Sequence, residues 1–265
     1  METALHNILE RVRAAAADAT PLRLCGGGSK DFHGLALEGT PLELRPLRGI
    51  ISYEPTELVV TARAGTPLQE LQATLAQAGQ ALAFEPPHFA LGDKQPTVGG
   101  MVAAAWSGPA QASSGAVRDF LLGVEIINGR GELLRYGGQV MKNVAGYDVS
   151  RLMAGSWGTL GVITEVSLKV LPVAPAQATL VFAMNEAQAL EALNRWGGQP
   201  LPLNASCWAQ GQLWLRLCGA QAAVQAACQK LGGERLPDDQ AAALWHSLRE
   251  QQHPWFAARS DADAL

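Results

Sequence analysis

The sequence predicts an α+β protein of two domains, and three observations indicate this fold. Residues 3–17 carry apolar side chains at helical spacing with acids and bases between them. The chain up to Pro175 then alternates short strand-like segments with loops rich in glycine and proline. Beyond Pro175 the order becomes strand, helix, strand, strand, helix, which is part of a split βαβ fold. We therefore predict one domain over residues 1–175 and a second, ferredoxin-like domain over 176–265.

The first domain begins with the predicted helix over residues 3–17 and continues as short strands. The strand-like stretches are "LRLC" (22–25), "LELR" (42–45), "GIISYEP" (49–55) and "ELVVTARAG" (57–65). Thr66 as N-cap and Pro67 at the first helical position predict a helix that ends at Ala78-Gly79. Residues 84–100 hold too many prolines and glycines for regular structure, and "MVAAAWSG" (101–108) predicts a short buried helix.

The remaining elements follow in the same way. "FLLGVEIINGRGELLRYGG" (120–138) predicts a hairpin with its turn at Asn128-Gly129. A helix is predicted over 147–156 and a long strand over 160–172. The second domain is predicted to contain the strand "ATLVFAM", the helix "EAQALEALNRW", the strands "NASCWAQ" and "QLWLRLCG", and the helix "AQAAVQAACQKLGG".

Composition excludes several classes of function. The 265 residues are 48% hydrophobic and 17% charged, and the net charge of −4 comes without any basic block. This argues against a nucleic-acid partner and against anionic lipid as the main partner. The sequence contains no stretch of about 18 uninterrupted apolar residues, so no transmembrane segment is predicted. The four cysteines form no Cys-x-x-Cys pair, so we expect reduced thiols, no metal site and a cytoplasmic protein.

The stretch "RLCGGGSKDFHG" (23–34) has three consecutive glycines directly after a predicted strand. Ordering a run of glycines costs more conformational entropy than ordering other residues. A run of three therefore suggests that this loop requires backbone without side chains. A P-loop is excluded because Ser29 precedes Lys30, and a doubly wound dinucleotide motif fails because Asp31 stands where its third glycine belongs. Taken alone, this loop could still be a flexible turn without a ligand.

Further glycine-bearing loops favour a ligand. In "QPTVGGMVAAAWSG" (95–108) a glycine pair precedes the predicted helix, so we expect the N–H groups of Val98, Gly99 and Gly100 to point at an anion. The stretches "SSGAVRD" and "GSWGTLGVIT" add two more such turns. We predict that these loops converge on one diphosphate, in a common cleft bordered by the segments around Gly27, Gly99 and Gly161.

The motifs "RLCGGGS", "PTVGG", "SSGAVRD", "KNVAGYD" and "GTLGVIT", in this order, resemble the FAD-binding family of the vanillyl-alcohol oxidase and para-cresol methylhydroxylase (PCMH) type. The resemblance covers residues 20–172 and implies a PCMH-type FAD-binding domain of two subdomains. Within that family, "GGGSKDF", "SYEPTELVV", "FEPPHF" and "NRWGGQPLPLNAS" resemble the E subunits of bacterial glycolate oxidases. The resemblance implies that residues 176–265 form a ferredoxin-like cap domain on the substrate side. Members of that group run further at the C-terminus, so we expect this cap domain to be incomplete here.

The resemblance implies roles for particular residues. Main-chain groups of the first, second and last loops would hold the pyrophosphate and the adenosine half, and the "SSG" turn would follow the flavin or ribityl chain. The implied FAD-binding residues are Gly26, Gly27, Gly28, Ser29, Lys30, Pro96, Thr97, Val98, Gly99, Gly100, Ser113, Ser114, Gly115, Gly158, Thr159, Gly161, Val162 and Ile163. Some relatives bind the flavin covalently through a histidine in the first loop. Ser29 occupies that position and His33 lies four residues on, so non-covalent FAD is implied.

Candidates for the reactive end of the flavin are His88, Lys142, Asn143 and Tyr147, and a structural role remains open for each. The relatives that oxidise D-2-hydroxy acids carry an H-x-x-H-G-D-G-N motif, which this chain lacks. The resemblance therefore implies that glycolate is oxidised to glyoxylate mainly on a sister FAD-containing subunit. An iron–sulfur subunit would complete the complex, electrons would pass to an acceptor other than NAD, and the complex would contact the inner membrane peripherally at most. Two alternatives stay open: a stand-alone FAD oxidoreductase for another hydroxy acid or alcohol, and a non-catalytic assembly subunit.

Overall fold

The computed structural model describes residues 2–34, 36, 38–138 and 147–257. The chain divides into two compact units, each with its own core. The first unit consists of Met1–Trp106 and Ala116–Pro172, and the second of Ser107–Gly115 and Val173–Leu265. Helices and strands alternate in both units, so the predicted α+β class is confirmed.

The chain up to Ala81 contains two α-helices and five short strands. They are α1 (Glu2–Ala17), β1 (Leu22–Cys25), β2 (Thr40–Glu43), β3 (Ile50–Glu54), β4 (Val59–Arg63), α2 (Leu68–Gln77) and β5 (Gln80–Ala81). The next elements are α3 (Val98–Ala104), α4 (Gln111–Ser114), α5 (Val117–Phe120), β6 (Leu121–Ile127), β7 (Leu133–Gly137), α6 (Val149–Met153), β8 (Val162–Lys169) and β9 (Leu171–Pro172). Of these, α4 alone belongs to the second unit.

An antiparallel five-stranded sheet with the order β3-β4-β8-β6-β7 forms the centre of the first unit. The helices α2 and α3 bury Leu71 and Met101 in the same cluster as Val60 and Val166 of the sheet. A parallel pair, β1 and β2, lies beside α1 and shares a smaller apolar cluster with it. This arrangement places the loop after β1 and the start of α3 in one unit.

The beginning of α2 differs from the prediction. Thr66 is not its N-cap, because Pro67 occupies that position and no side chain caps the helix. The buried Thr66 hydroxyl instead accepts a hydrogen bond from Gly49 N (2.9 Å) and donates one to Gly49 O (3.2 Å). The side chain therefore connects two loops of the first unit rather than starting the helix. The predicted end is confirmed, with Ala78 as C-cap and Gly79 at φ +66°.

Two other predicted boundaries shift. The helix α3 begins at Val98 rather than at Met101, so the glycine pair lies inside its first turn. The hairpin of β6 and β7 is confirmed, but its loop spans residues 128–132. In this loop Gly131 N donates to Asn128 O, and Asn128 Oδ1 accepts from Arg130 N and Glu132 N. The positive φ falls on Gly131 (+72°), so a turn at Asn128-Gly129 alone was wrong.

A row of four charged side chains crosses the five-stranded sheet. Arg63 pairs in register with Glu165, Glu165 with Glu125, and Glu125 with Arg135. Glu125 is 3% exposed and lies 2.7 Å from Arg135 Nε and 3.4 Å from Arg63 Nη1. Burial, and next the charge of Glu125, raise the pKa of Glu165 although both arginines act in the opposite direction. The two carboxylates are thus held together by the two guanidinium groups.

The second unit contains a four-stranded antiparallel sheet with the order β11-β12-β10-β13. Its elements are β10 (Ala176–Ala183), α7 (Glu186–Gly197), β11 (Leu203–Ala209), β12 (Gln212–Gly219), α8 (Gln221–Leu231), β13 (Glu234–Arg235), α9 (Asp238–Arg249) and α10 (Pro254–Ala257). This topology confirms the predicted ferredoxin-like split βαβ fold, and it adds the two-residue strand β13 that the sequence did not indicate.

Two features of the second unit lie outside that predicted pattern. The helix α9 covers part of the sheet, and its buried Trp245 donates from Nε1 to Thr179 Oγ1 (2.9 Å). The short helix α4 comes from far earlier in the chain, and Ser113 donates from Oγ to Asn204 O at the start of β11. Within the part of the chain that the structure describes, no helix combines the length and the apolar character that crossing a bilayer requires.

Candidate functional site

Three glycine-bearing segments of the first unit border one cleft of about 190 Å³. They are the loop after β1, the beginning of α3 and the turn that leads into β8. The segments around Gly27, Gly99 and Gly161 therefore share a cleft, as the sequence predicts. The predicted FAD-binding residues that line it are Gly26, Gly27, Gly28, Ser29, Lys30, Pro96, Thr97, Gly99, Gly100, Gly158, Gly161 and Ile163.

The other predicted FAD-binding residues lie elsewhere. Val98 and Val162 are buried in the two apolar clusters of the first unit, and Thr159 donates from Oγ1 to Ser156 O (2.7 Å). None of these three lines the cleft. Ser113, Ser114 and Gly115 belong to the second unit, so their proposed contact with the flavin or ribityl chain stays a prediction.

The glycines of the cleft are needed first for packing between the segments themselves. A Cβ on Gly27 would lie 1.4 Å from Gln95 O, and Gln95 N donates to Gly27 O (3.1 Å). A Cβ on Gly99 would lie 2.6 Å from the Cβ of Ala64. The bare backbone that the sequence associates with a ligand is therefore also what allows the loops to meet.

The predicted anion donors of α3 are engaged within the protein. Val98 N donates to Thr66 O (2.8 Å), Gly99 N to Ala64 O (2.7 Å) and Gly100 N to Thr97 Oγ1 (3.2 Å). These bonds hold the start of the helix against the loop that precedes α2. The expectation that these three N–H groups point at an anion was wrong, because protein acceptors already use them.

The loop after β1 differs from the start of α3 in the state of its backbone donors. Among the described residues, no acceptor is found for the N–H groups of Gly26, Gly27, Gly28 and Ser29. Gly28 adopts φ +70°, a left-handed conformation that suits a concave, anion-binding turn. Lys30 brings an ammonium group to the same wall, 3.5 Å from Ser29 Oγ and 3.3 Å from Pro87 O.

These donors and this cation fit a diphosphate. Asp31 is the one acid among the described residues that line the cleft, and its carboxylate lies 3.6 Å from the Lys94 ammonium group. The other lining residues are mainly glycines and apolar side chains, which leave the backbone close to a ligand. The wall residues that sequence reasoning missed are Leu24, Asp31, His33, Leu44, Ala64, Ala103 and Trp157.

The candidates for the reactive end of the flavin do not meet at this cleft. His88 Nε2 lies 2.9 Å from Gln72 Oε1, and His88 does not line the cleft. Tyr147 is 97% exposed and does not line it either. Lys142 and Asn143 lie outside the described residues. Within the described chain, the cleft therefore has the features of a cofactor site rather than those of a complete acid–base site.

Comparisons with known proteins agree with the geometry. A family model described as "FAD binding domain" matches residues 5–137. The chain is 49% identical to the glycolate oxidase subunit GlcE of Escherichia coli (strain K12) over 250 residues, which covers 94% of this chain and 69% of that protein. It is 31% identical to the glycolate oxidase subunit GlcD of Bacillus subtilis (strain 168), over 60% of this chain and 32% of that protein.

The fold also resembles a solved structure. An alkyldihydroxyacetonephosphate synthase superposes with a TM-score of 0.68 over 93% of this chain and 56% of that one. The sequence identity is 17%, so this likeness concerns the fold alone. The chain thus spans about two thirds of GlcE, about half of the synthase and about a third of GlcD.

Proposed function

This chain belongs to the FAD binding domain family, and from that premise we propose that it is an FAD-carrying subunit of a glycolate-oxidising enzyme. Its first unit has the PCMH-type fold, and its cofactor is FAD. The enzyme class is an FAD-dependent oxidoreductase acting on CH–OH donors. The single observation that supports the proposal is the cleft formed by three separate glycine-bearing segments, with unused backbone donors along one wall.

The residues of the cleft suggest how the chain would hold the cofactor. The N–H groups of Gly26 to Ser29 would donate to the pyrophosphate, and the Lys30 ammonium group would offset part of its charge. Leu24, Leu44 and Ile163 would exclude water from the adjoining part of the ligand. When bound, FAD would supply a redox centre that accepts two electrons and passes them on.

We also propose that the flavin is held without a covalent bond. Ser29 occupies the position where the resemblance places a flavin-linking histidine in some relatives. The other histidine of the loop, His33, stacks on Trp157 with ring centroids 4.7 Å apart. That packing favours a ring held in place by its neighbour over one that attacks the flavin.

The chain would work within a complex. GlcE and GlcD are both described as subunits, and we propose a sister FAD-containing subunit that carries the main substrate site, together with an iron–sulfur subunit. Neither His88 nor Tyr147 lines the cleft, and this supports such a division of labour. Electrons would leave glycolate as it becomes glyoxylate and pass to an acceptor other than NAD. We place the complex in the cytoplasm, in peripheral contact with the inner membrane at most.

The proposal is tested on the purified full chain and on the co-expressed complex. The chain alone should absorb in the blue like a flavoprotein, and acid precipitation should release the yellow chromophore into the supernatant. Glycolate added without oxygen should bleach the flavin of the complex and leave that of the isolated chain oxidised. A colourless chain that takes up no FAD would refute the cofactor assignment. Bleaching by glycolate in the isolated chain would contradict the sister-subunit assignment and favour a stand-alone oxidoreductase.

A further inference from the structure

Five aromatic side chains of the first unit form a ring cluster: Phe32, His33, Phe89, Trp106 and Trp157. Most pairs meet edge to face, with centroids 5.1–6.0 Å apart and interplanar angles of 72–86°. The pair His33–Trp157 differs, because its rings stack at 4.7 Å with an interplanar angle of 25°. This near-parallel pair presents a flat surface, whereas the edge-on pairs mainly fill space.

The stacked pair is also the part of the ring cluster that reaches the cleft. His33 and Trp157 line it, whereas Phe32 does not. Trp157 keeps 42% of its surface exposed, which is a large fraction for a tryptophan that contacts two aromatic neighbours, His33 and Trp106. A ligand in the cleft would therefore cover apolar ring surface that the protein itself leaves open.

The backbone holds Trp157 in a costly conformation. Its φ of +50° lies in the left-handed region, which is unfavourable for a bulky side chain, and Phe89 of the same cluster has φ +46°. Hydrogen bonds from Gly155 N to Val102 O (3.1 Å) and from Trp157 N to Ala103 O (3.0 Å) fix the segment to α3. Backbone strain that the surrounding structure enforces is found preferentially at ligand sites.

The flat pair borders the same cleft as the diphosphate cradle. Gly158 directly follows Trp157, and a Cβ there would lie 2.7 Å from Leu24 Cδ1, so this segment packs against the strand that leads into the glycine loop. FAD carries an aromatic ring system on each side of its diphosphate. We propose that Trp157, backed by His33, is the stacking surface for one of these rings, either adenine or isoalloxazine. This inference rests on the proposed function, because it requires FAD in the cleft.

The test measures ligand affinity rather than activity. The full chain is freed of flavin and titrated separately with FAD, ADP and FMN, in the wild type and in Trp157→Leu, Trp157→Phe and Phe32→Leu. We expect Trp157→Leu to weaken FAD binding by about fivefold or more, since stacking of a base on an aromatic side chain contributes on that order. Trp157→Phe should retain most of the wild-type affinity for FAD. Phe32→Leu is the matched control, because it changes a ring of the cluster that does not line the cleft.

The two smaller ligands identify the ring. If Trp157→Leu loses affinity for ADP but not for FMN, adenine stacks on Trp157. If it loses affinity for FMN but not for ADP, isoalloxazine stacks there. Thermal unfolding without ligand checks that each variant is folded; if Trp157→Leu is not, Trp157→Asn replaces it, since asparagine tolerates the left-handed region. Unchanged affinity of the folded variant for all three ligands would overturn the inference while the proposed function stands. A wild-type chain that binds neither FAD, ADP nor FMN would refute the proposed function itself.

Discussion

The contact between Gly27 and Gln95 gives the sharpest prediction, for the substitution Gly27→Ala. The added Cβ would lie 1.4 Å from Gln95 O, whereas side-chain carbons keep at least 3.0 Å from such an atom. One of the two loops must therefore move by about 1.6 Å. The obstacle is a backbone carbonyl rather than the end of a flexible side chain, so no rotamer change can relieve it.

The expected cost follows from two effects. Moving the loops apart breaks the hydrogen bond from Gln95 N to Gly27 O, whose net contribution is about 1 kcal/mol. Strain from the added methyl group in a closely packed contact costs about 1–3 kcal/mol more. Together these lower the free energy of unfolding by about 2–4 kcal/mol, which corresponds to a decrease of about 5–15 °C in the thermal unfolding midpoint of a unit of this size.

The assay is thermal unfolding of the full chain, with and without added FAD. Gly129→Ala is the matched control, because a Cβ at Gly129 meets nothing within 4 Å and the residue does not require a positive φ. We expect the control to unfold within about 1 °C of the wild type. Added FAD should raise the midpoint of Gly27→Ala less than that of the wild type, since the displaced loop binds it less tightly.

If Gly27→Ala unfolds together with the Gly129→Ala control, the contact with Gln95 O does not limit the space at Gly27. If Gly27→Ala is destabilised but gains as much from added FAD as the wild type does, the glycine loop does not bind the diphosphate.

Three further predictions concern the charged row and the second core. Glu125→Ala should lower the free energy of unfolding by about 1–3 kcal/mol in denaturant titrations, because it removes the buried carboxylate that both guanidinium groups contact, while Glu165 still lies within 4 Å of both. Glu10→Ala, which removes an exposed ion pair, should cost less than about 1 kcal/mol. Because the pKa of Glu165 is raised in the folded state, its contribution to stability is largest in acid and is lost as the pH rises through that pKa. Glu165→Gln should therefore be more stable than the wild type at neutral pH and should lose this advantage near pH 4. A stability advantage of Glu165→Gln that grows in acid would contradict this direction. In the second unit, Leu215→Ala should cost about 2–5 kcal/mol at a site 1% exposed, while Leu190→Ala, at a site 57% exposed, should change the unfolding midpoint little.

Local patterns in the sequence were sufficient for most elements. The nearly continuous apolar run of β6, the alternating exposure along β7 and the helical spacing of apolar residues in α1 are local patterns, so these three elements were predictable without tertiary information. Likewise, glycines recurring in separate loops indicated one common ligand, and three of those segments do border one cleft.

The remaining details depend on contacts that sequence patterns do not report. Thr66 resembles an N-cap, but its partner Gly49 lies 17 residues away in another loop. The start of α3 was placed too late because glycine has a low helix propensity, which the bond from Gly100 N to Thr97 Oγ1 offsets here. The rings of His33 and Trp157 meet although 124 residues separate them, so no local signal could have placed them in the cleft.

The membership of α4 in the second unit has a consequence for how this protein is made. The backbone leaves the first unit after Trp106, returns at Ala116 and departs again after Pro172, so neither unit is one uninterrupted stretch. During translation, Ser113 is synthesised about ninety residues before Asn204, whose carbonyl oxygen accepts a hydrogen bond from the Ser113 hydroxyl. If the gene is divided at the Pro172–Val173 junction, α4 remains on the N-terminal fragment, although it belongs to the second unit. Each fragment should then fold less well than the intact polypeptide.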